Sequence, residues 1–167
     1  MKFSLAAILL FISVFSCKSK DPEFSNAFQK NPNALAVSDY SNIFSTSENL
    51  VLATKLVDYE ALTTRQIAIV TVDSISPYSS IQDYASDLGK YWGVGQKNLD
   101  NGLVIVFSKP LSKIAIASGY GTEKILTDEI CKRIIDSVMI PKFKEKSYYE
   151  GINNGIDSLI QRWNKDI

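Results

Sequence analysis

The sequence predicts an α/β fold in which a small mixed β-sheet, formed by one β-α-β crossover and one hairpin, is flanked by helices. Three observations carry this. Gln66-Ile67-Ala68-Ile69-Val70-Thr71-Val72 is rich in β-branched residues and apolar on both faces, the pattern of an interior strand. Residues 79–92 place Ile81, Tyr84, Ala85 and Leu88 at helical spacing and stop at Gly93 and Gly95. Residues 103–107 and 113–117 are two more strand-like runs, joined by a short linker containing Pro110. A strand, a helix and a strand in succession imply parallel strands with a right-handed crossover, and the hairpin then returns the third strand antiparallel.

The other elements follow in order. Ser45-Thr46-Ser47-Glu48 is a capping box, with Ser45 capping the backbone near Glu48 and Glu48 reaching back. Leu52, Leu56, Tyr59 and Leu62, flanked by Ala53 and Val57, recur at helical spacing and are expected to face the core. Beyond the hairpin, Thr127 precedes Ile130, Ile134, Ile135, Val138 and Met139, a helical pattern that Pro141 is expected to end. Ser147-Tyr148-Tyr149-Glu150 reads as a second capping box, opening a last helix with Ile152, Ile156, Leu159 and Trp163 inward. Gly151 and Gly155, one turn apart, are costly inside a helix and imply a shallow stripe where another element packs closely.

The amino terminus is of another kind. Lys2 precedes an apolar run from Phe3 to Phe15 broken only by Ser4 and Ser13. That run is shorter than the ~20 residues of a membrane-spanning helix and has the layout of a secretory signal. It ends in Val14-Phe15-Ser16-Cys17, which resembles the lipobox of bacterial lipoproteins. Removal of residues 1–16 would leave Cys17 as a lipidated, palmitate-type amino terminus; the alternative is an ordinary signal in which Cys17 is incidental. Residues 18–34 are polar and aperiodic, with Pro22 and Pro32, and read as a tether. The expected organisation is a signal over 1–16, a lipidated cysteine and tether over 17–33, and one domain over 34–167, since about 150 residues suit a single core.

Composition narrows the chemistry. Lys plus Arg equals Asp plus Glu at 18 each, so no strong overall field exists to draw nucleic acid. The chain has no histidine, which removes Ser-His-Asp and Cys-His catalysis and His-ligated zinc. Cys131 lies in an apolar helical pattern and reads as a buried structural thiol.

The crossover also places residues. The start of the second strand, Asp100-Asn101-Gly102, and the end of the third, Gly119-Tyr120-Gly121-Thr122-Glu123, fall at one sheet edge, with Thr127-Asp128-Glu129 opening a helix soon after. Asp100, Glu123 and Asp128 are therefore expected to converge, and three carboxylates together would repel unless a hard cation, Ca²⁺ or Mg²⁺, bound them. Taken singly, the residues read as a turn, a solvated loop side chain and an acid favoured by a helix dipole.

The order Val37-Ser38-Asp39-Tyr40, then 66–72, Tyr91-Trp92-Gly93-Val94-Gly95, Asp100-Asn101-Gly102-Leu103-Val104, Gly119-Tyr120-Gly121-Thr122-Glu123, Leu126-Thr127-Asp128, and Ile140-Pro141-Lys142-Phe143 with Gly151-Ile152 resembles the TPM domain family, from about Ala34 to Trp163. The resemblance implies an αβα sandwich in a membrane-anchored or secreted protein. Plant members are associated with photosystem II repair and credited with acid phosphatase activity, and some bacterial members bind calcium. It puts the acidic cluster on Asp100, Glu123 and Asp128, with Asp39 as a further candidate, and makes Asp100 and Asp128 the residues to suspect in any catalysis. Trp92, Gly93, Gly95, Asn101, Gly102, Gly119, Tyr120 and Gly121 would shape the site. Thr122 stands where relatives often have leucine, and Lys109-Pro110-Leu111-Ser112 lacks their acidic-plus-arginine hairpin tip. Many bacterial relatives continue into a transmembrane helix, a role here expected of the lipid.

Two functions suit these residues. One is a cation-stabilised module at the cell envelope, facing the periplasm or exterior, that binds another envelope protein in its assembly or quality control. The other is a metal-assisted phosphomonoesterase, although no Arg or Lys stands within the acidic motifs to hold the anion. A third is a simple spacer.

Overall fold

A computed structural model describes residues 28–31 and 33–166; the expected signal, Cys17 and most of the tether lie outside the described residues. The elements are β1 (Val37–Asp39), α1 (Thr46–Thr63), β2 (Gln66–Thr71), α2 (Ile81–Trp92), β3 (Gly102–Ser108), β4 (Lys113–Ser118), a one-turn α3 (Tyr120–Glu123), α4 (Asp128–Ile134), a π-helical turn (Ile135–Met139), α5 (Ile140–Lys144) and α6 (Tyr148–Trp163). The sheet order is β1-β2-β3-β4. The first three strands are parallel and β4 is antiparallel to β3, with Ile69, Ile105 and Ile116 in one row.

Strand alternation builds two unequal cores. One face turns Ile67, Ile69, Leu103, Ile105 and Ile116 toward Leu52 and Leu56 of α1 and Ile152, Ile156 and Leu159 of α6. Each such side chain contributes about 1.5–3 kcal/mol by leaving water. The other face carries the smaller Ala68, Val70, Val104, Val106, Ala115 and Ala117, over which α2 lays Tyr84, Ala85 and Leu88. Small residues let α2 sit close: a β-carbon on Gly89 would stand 3.0 Å from Val104. Helices on both faces make the αβα sandwich that the sequence implies. Among the described residues, no helix is long and apolar enough to cross a membrane.

Several elements depart from expectation. β1 is a strand of three residues, too short to register as one in the sequence. Phe28, placed in the tether, is 9 % exposed and packs on Tyr78, Tyr84 and Tyr91. Leu62 is 86 % exposed rather than inward. The inward stripe of α1 ends at Tyr59, and the chain leaves the helix through left-handed Thr64 one turn later. Pro141 does not end its helix but opens α5 after the π-turn, where a proline at a helix start loses no needed N–H. At Ser147 no side-chain cap forms; Glu150 is drawn instead to Lys142 at 3.4 Å. The box at Ser45 does form, and the α6 glycines receive Phe143 and Met139 as the stripe required.

Candidate functional site

Three loops meet at the edge where β3 begins and β4 ends. Gly119 N–H donates to Gly102 O at 2.9 Å, and Gly121 and Thr122 N–H donate to Asp100 O at 3.1 and 3.3 Å. A β-carbon on Gly119 would collide with Asp100 O, one on Gly121 with Leu99 O, and one on Gly102 with Val94 O. The glycines of all three motifs are thus demanded by backbone lying against backbone. Asp100 itself adopts the left-handed conformation at φ 47°, which Asp tolerates better than most residues.

Two amide side chains hold this corner to the rest of the fold. Asn101, 9 % exposed, donates from Nδ2 to Thr64 O at 2.8 Å and accepts Gln96 N–H on Oδ1 at 2.8 Å. Gln66 accepts Gly95 N–H on Oε1 and donates from Nε2 to Glu60, each at 2.6 Å. Trp92 donates its indole N–H to Gln29 O at 2.8 Å, which seats the last part of the tether against α2.

The loops frame a cleft of about 520 Å³ between α2 and the ends of β3 and β4. Its walls are Ala85, Gly89, Val104 and Ala117, with Ser86 and Ser118 as hydroxyls. Lys90, Lys97 and Asp100 supply its charges, and Tyr120, 79 % exposed, stands at its rim. The walls admit a slender group, the two ammonium groups favour an anionic or carbonyl oxygen, and the phenol offers a stacking surface.

The carboxylates are placed less compactly than expected. Asp100 lines this cleft, and Glu123, exposed, follows Thr122 on α3 next to it. Asp128 lines a second groove, beside Lys113 and Cys131 at the outer side of β4. Asp39 ends β1 at the opposite edge of the sheet, paired with Thr71. There its carboxylate accepts Ile43 N–H at 2.9 Å, Phe44 N–H at 2.8 Å and the Thr71 hydroxyl at 2.5 Å, so it pins a loop. Among the described residues, no group of three or more Asp, Glu or Cys side chains is gathered so as to hold a metal ion. Of the four carboxylates expected to hold Ca²⁺ or Mg²⁺, Asp100 lines the cleft, Asp128 lines the second groove and Asp39 ends β1 at the far edge of the sheet. The topology brings the Asp100 and Gly119 segments together, while Asp128 lines the second groove.

Cys131 is 4 % exposed and its thiol lies 3.7 Å from Leu126 O. Burial first, then the Asp128 carboxylate, pushes the thiol up to about 12 from its ordinary 9.0, which keeps it protonated and unreactive.

Lys90, Lys97, Ser86 and Ser118 are cleft residues that sequence reasoning passed over. A signal existed: Ala85, Gly89 and Gly93 fall at i, i+4 and i+8, a small-residue stripe opposite the alternating Ala115 and Ala117 of β4 and Gly119 just after it.

Residues 37–162 match the family model described as TPM domain. Among solved structures, the chain is similar to the N-terminal domain of a protein from P. gingivalis, at 28 % identity and TM-score 0.72, covering 80 % of this chain and 84 % of that one. The N-terminal domain of cg2496 protein from Corynebacterium glutamicum, at 14 % identity and TM-score 0.60, covers 80 % and 82 %, and shares the fold. So does BA42 protein from Bizionia argentinensis, at 17 % identity and TM-score 0.63, covering 76 % and 90 %. No curated protein matches the chain. With the model matched over most of its length and the αβα sandwich in place, this chain belongs to the TPM domain family.

Proposed function

We propose that this chain is a non-catalytic TPM module, held on a cell-envelope membrane by lipid on Cys17, that binds another envelope protein through the glycine-walled cleft. The observation that carries this reading is the cleft itself: a slot with rigid backbone walls, two lysines, one carboxylate and an exposed tyrosine at its rim. Such a lining suits recognition. The histidine-free chain offers no imidazole base beside Ser86 or Ser118 to activate either hydroxyl. The lipid reading rests on the run that ends at Cys17 and places the domain in the periplasm or at the cell exterior.

Turnover of a phosphomonoester by wild type and Asp100→Asn, with and without Ca²⁺ or Mg²⁺, tests the non-catalytic part. The module reading expects equal background rates in all four. Turnover well above background that is lost in Asp100→Asn would establish the phosphatase instead. Fractionation tests the anchor: wild type stays with the membranes through a salt wash and Cys17→Ser is released. A retained Cys17→Ser variant would contradict lipid anchoring.

A further inference from the structure

We propose that Phe28, Gln29 and Lys30 are a latch: a groove beside α2 grips the end of the tether and opens to lengthen it, which switches the reach of the domain from its membrane anchor. The grip stands on the contacts of these residues alone, and the change of reach rests on the proposed lipid at Cys17.

α2 lies over β3 and β4 on its face of the sheet. On the same face of β1 and β2, Ser38 stands level with Val70. There Phe28 enters the core beside Val70, Val72 and Ile75. Three rings box it in, with the centroids of Tyr84, Tyr91 and Tyr78 lying 5.3, 5.4 and 5.7 Å from its own. Two donors then take the next two carbonyls in turn. The Trp92 indole N–H donates to Gln29 O at 2.8 Å and the Tyr40 hydroxyl to Lys30 O at 3.3 Å. The Gln29 and Lys30 side chains are exposed, so the groove reads one aromatic ring and the backbone that follows it. These residues precede the stretch 37–162 that matches the family model, which makes the latch an addition to the shared domain.

The grip is balanced to open. It gains one buried ring and two hydrogen bonds and loses the backbone freedom of the three residues that make them, contributions of similar size. Closure also keeps water from Ser38, 5 % exposed on the same face, whose hydroxyl has no partner among the described residues. Opening lets that hydroxyl be hydrated.

After Lys30, the next hold on the sheet among the described residues is Ala36, whose carbonyl accepts Ile69 N–H at 2.8 Å. Covalent geometry lets the chain from Cys17 to Phe28 span at most about 40 Å, and from Cys17 to Ala36 at most about 70 Å. Gly93, next to Trp92, lines the glycine cleft. The closed latch therefore keeps the cleft near the bilayer, and the open one lets it reach partner segments farther out.

The test uses the full chain, lipidated and ¹⁵N-labelled in detergent micelles. Solvent exchange at the Trp92 indole N–H is compared with that at the Ile105 amide, which is fully buried in β3 and reports opening of the whole domain. The latch predicts that the Trp92 indole exchanges at least a hundredfold faster than Ile105, and that Phe28→Ala speeds it a further tenfold or more with Ile105 unchanged. Equal protection of Trp92 and Ile105, or a loss in Phe28→Ala that Ile105 shares, would make the segment a permanent part of the core and overturn the latch. So would a Trp92 indole indifferent to Phe28→Ala. With a spin-labelled headgroup lipid in the micelle, broadening of the Tyr120 amide is expected to fall about twofold or more in Phe28→Ala, and no fall would overturn the change of reach. Equal broadening in wild type and Cys17→Ser would count against the lipid instead, and the exchange at Trp92 would still decide the grip.

Discussion

Gly119 lies with its α-carbon so close to the Asp100 carbonyl that a β-carbon there would stand 2.9 Å from the carbonyl carbon and still nearer its oxygen. The same corner repeats the relation between Gly121 and Leu99 and between Gly102 and Val94. Because the obstacle is backbone, no rotamer change relieves it. Gly119→Ala and Gly121→Ala are each expected to destabilise the domain by roughly 2–4 kcal/mol, whereas Gly93→Ala, which meets nothing within 4 Å, incurs only the smaller strain of its positive φ. Urea melts of the three variants rank them.

Asn101 joins two loops through one buried amide, from Thr64 O to Gln96 N–H. Asn101→Leu leaves both backbone groups unanswered and is expected to cost about 2–4 kcal/mol. Asn101→Asp keeps the acceptor for Gln96 but sets a carboxylate against Thr64 O, and is expected to be destabilising near neutral pH and less so in acid. Denaturant midpoints at two pH values check the difference.

Gly155 and Met139 are expected to be coupled. A β-carbon on Gly155 would stand 2.7 Å from Met139 Cγ and 3.0 Å from its sulfur, and Met139 is fully buried. Gly155→Ala gains about 1 kcal/mol of helix propensity and loses about 1–3 to overpacking. The expected net is destabilisation, which falls by about 1 kcal/mol or more when Met139→Ala makes room. A double-mutant cycle measures it, and strict additivity would show that the contact is not the cause.

The Cys131 thiol is held protonated by burial. Its native value, about 12, lies above the ordinary 9.0 of an exposed thiol, so the unfolded chain loses this proton first as pH rises. The contribution is therefore intact below about pH 9 and is lost progressively toward pH 12. In a Cys17→Ser background, a thiol reagent at pH 8 is expected to label Cys131 only as fast as the domain unfolds.

How much of this was legible in the sequence depends on the range of each signal. The crossover and hairpin were, because Ile69, Val104 and Ala115 sit in runs that no helix would use. The meeting of Asp100 with Gly119 followed from strand direction alone. Side-chain direction did not: Leu62 occupies the expected helix yet is exposed, since a helix's rotation is set by what it packs against. The position of Asp39 at the far edge was not legible, because the three-residue β1 leaves no strand pattern. Pro141 misled because a π-turn, invisible in the pattern, absorbs it.

The cation expected at Asp100, Glu123 and Asp128 is tested by thermal melting. A ligand bound tightly to the native state alone raises the midpoint in step with RT ln(1 + [L]/Kd). A rise of several degrees in millimolar Ca²⁺ or Mg²⁺, reversed by EDTA, supports a cation site, and an unchanged melt counts against it.

The central claim is that the cleft at Asp100 and Tyr120 receives a partner. A photo-crosslinking residue in place of Tyr120, in the full-length protein within its own cells, tests it most directly. One discrete crosslinked protein is expected, and it disappears when Lys90→Glu and Lys97→Glu are introduced together, while the melt of the domain is unchanged and a crosslinker in place of Leu62 captures nothing comparable. The same products from both positions, or a Tyr120 crosslink indifferent to the two lysines, would contradict it.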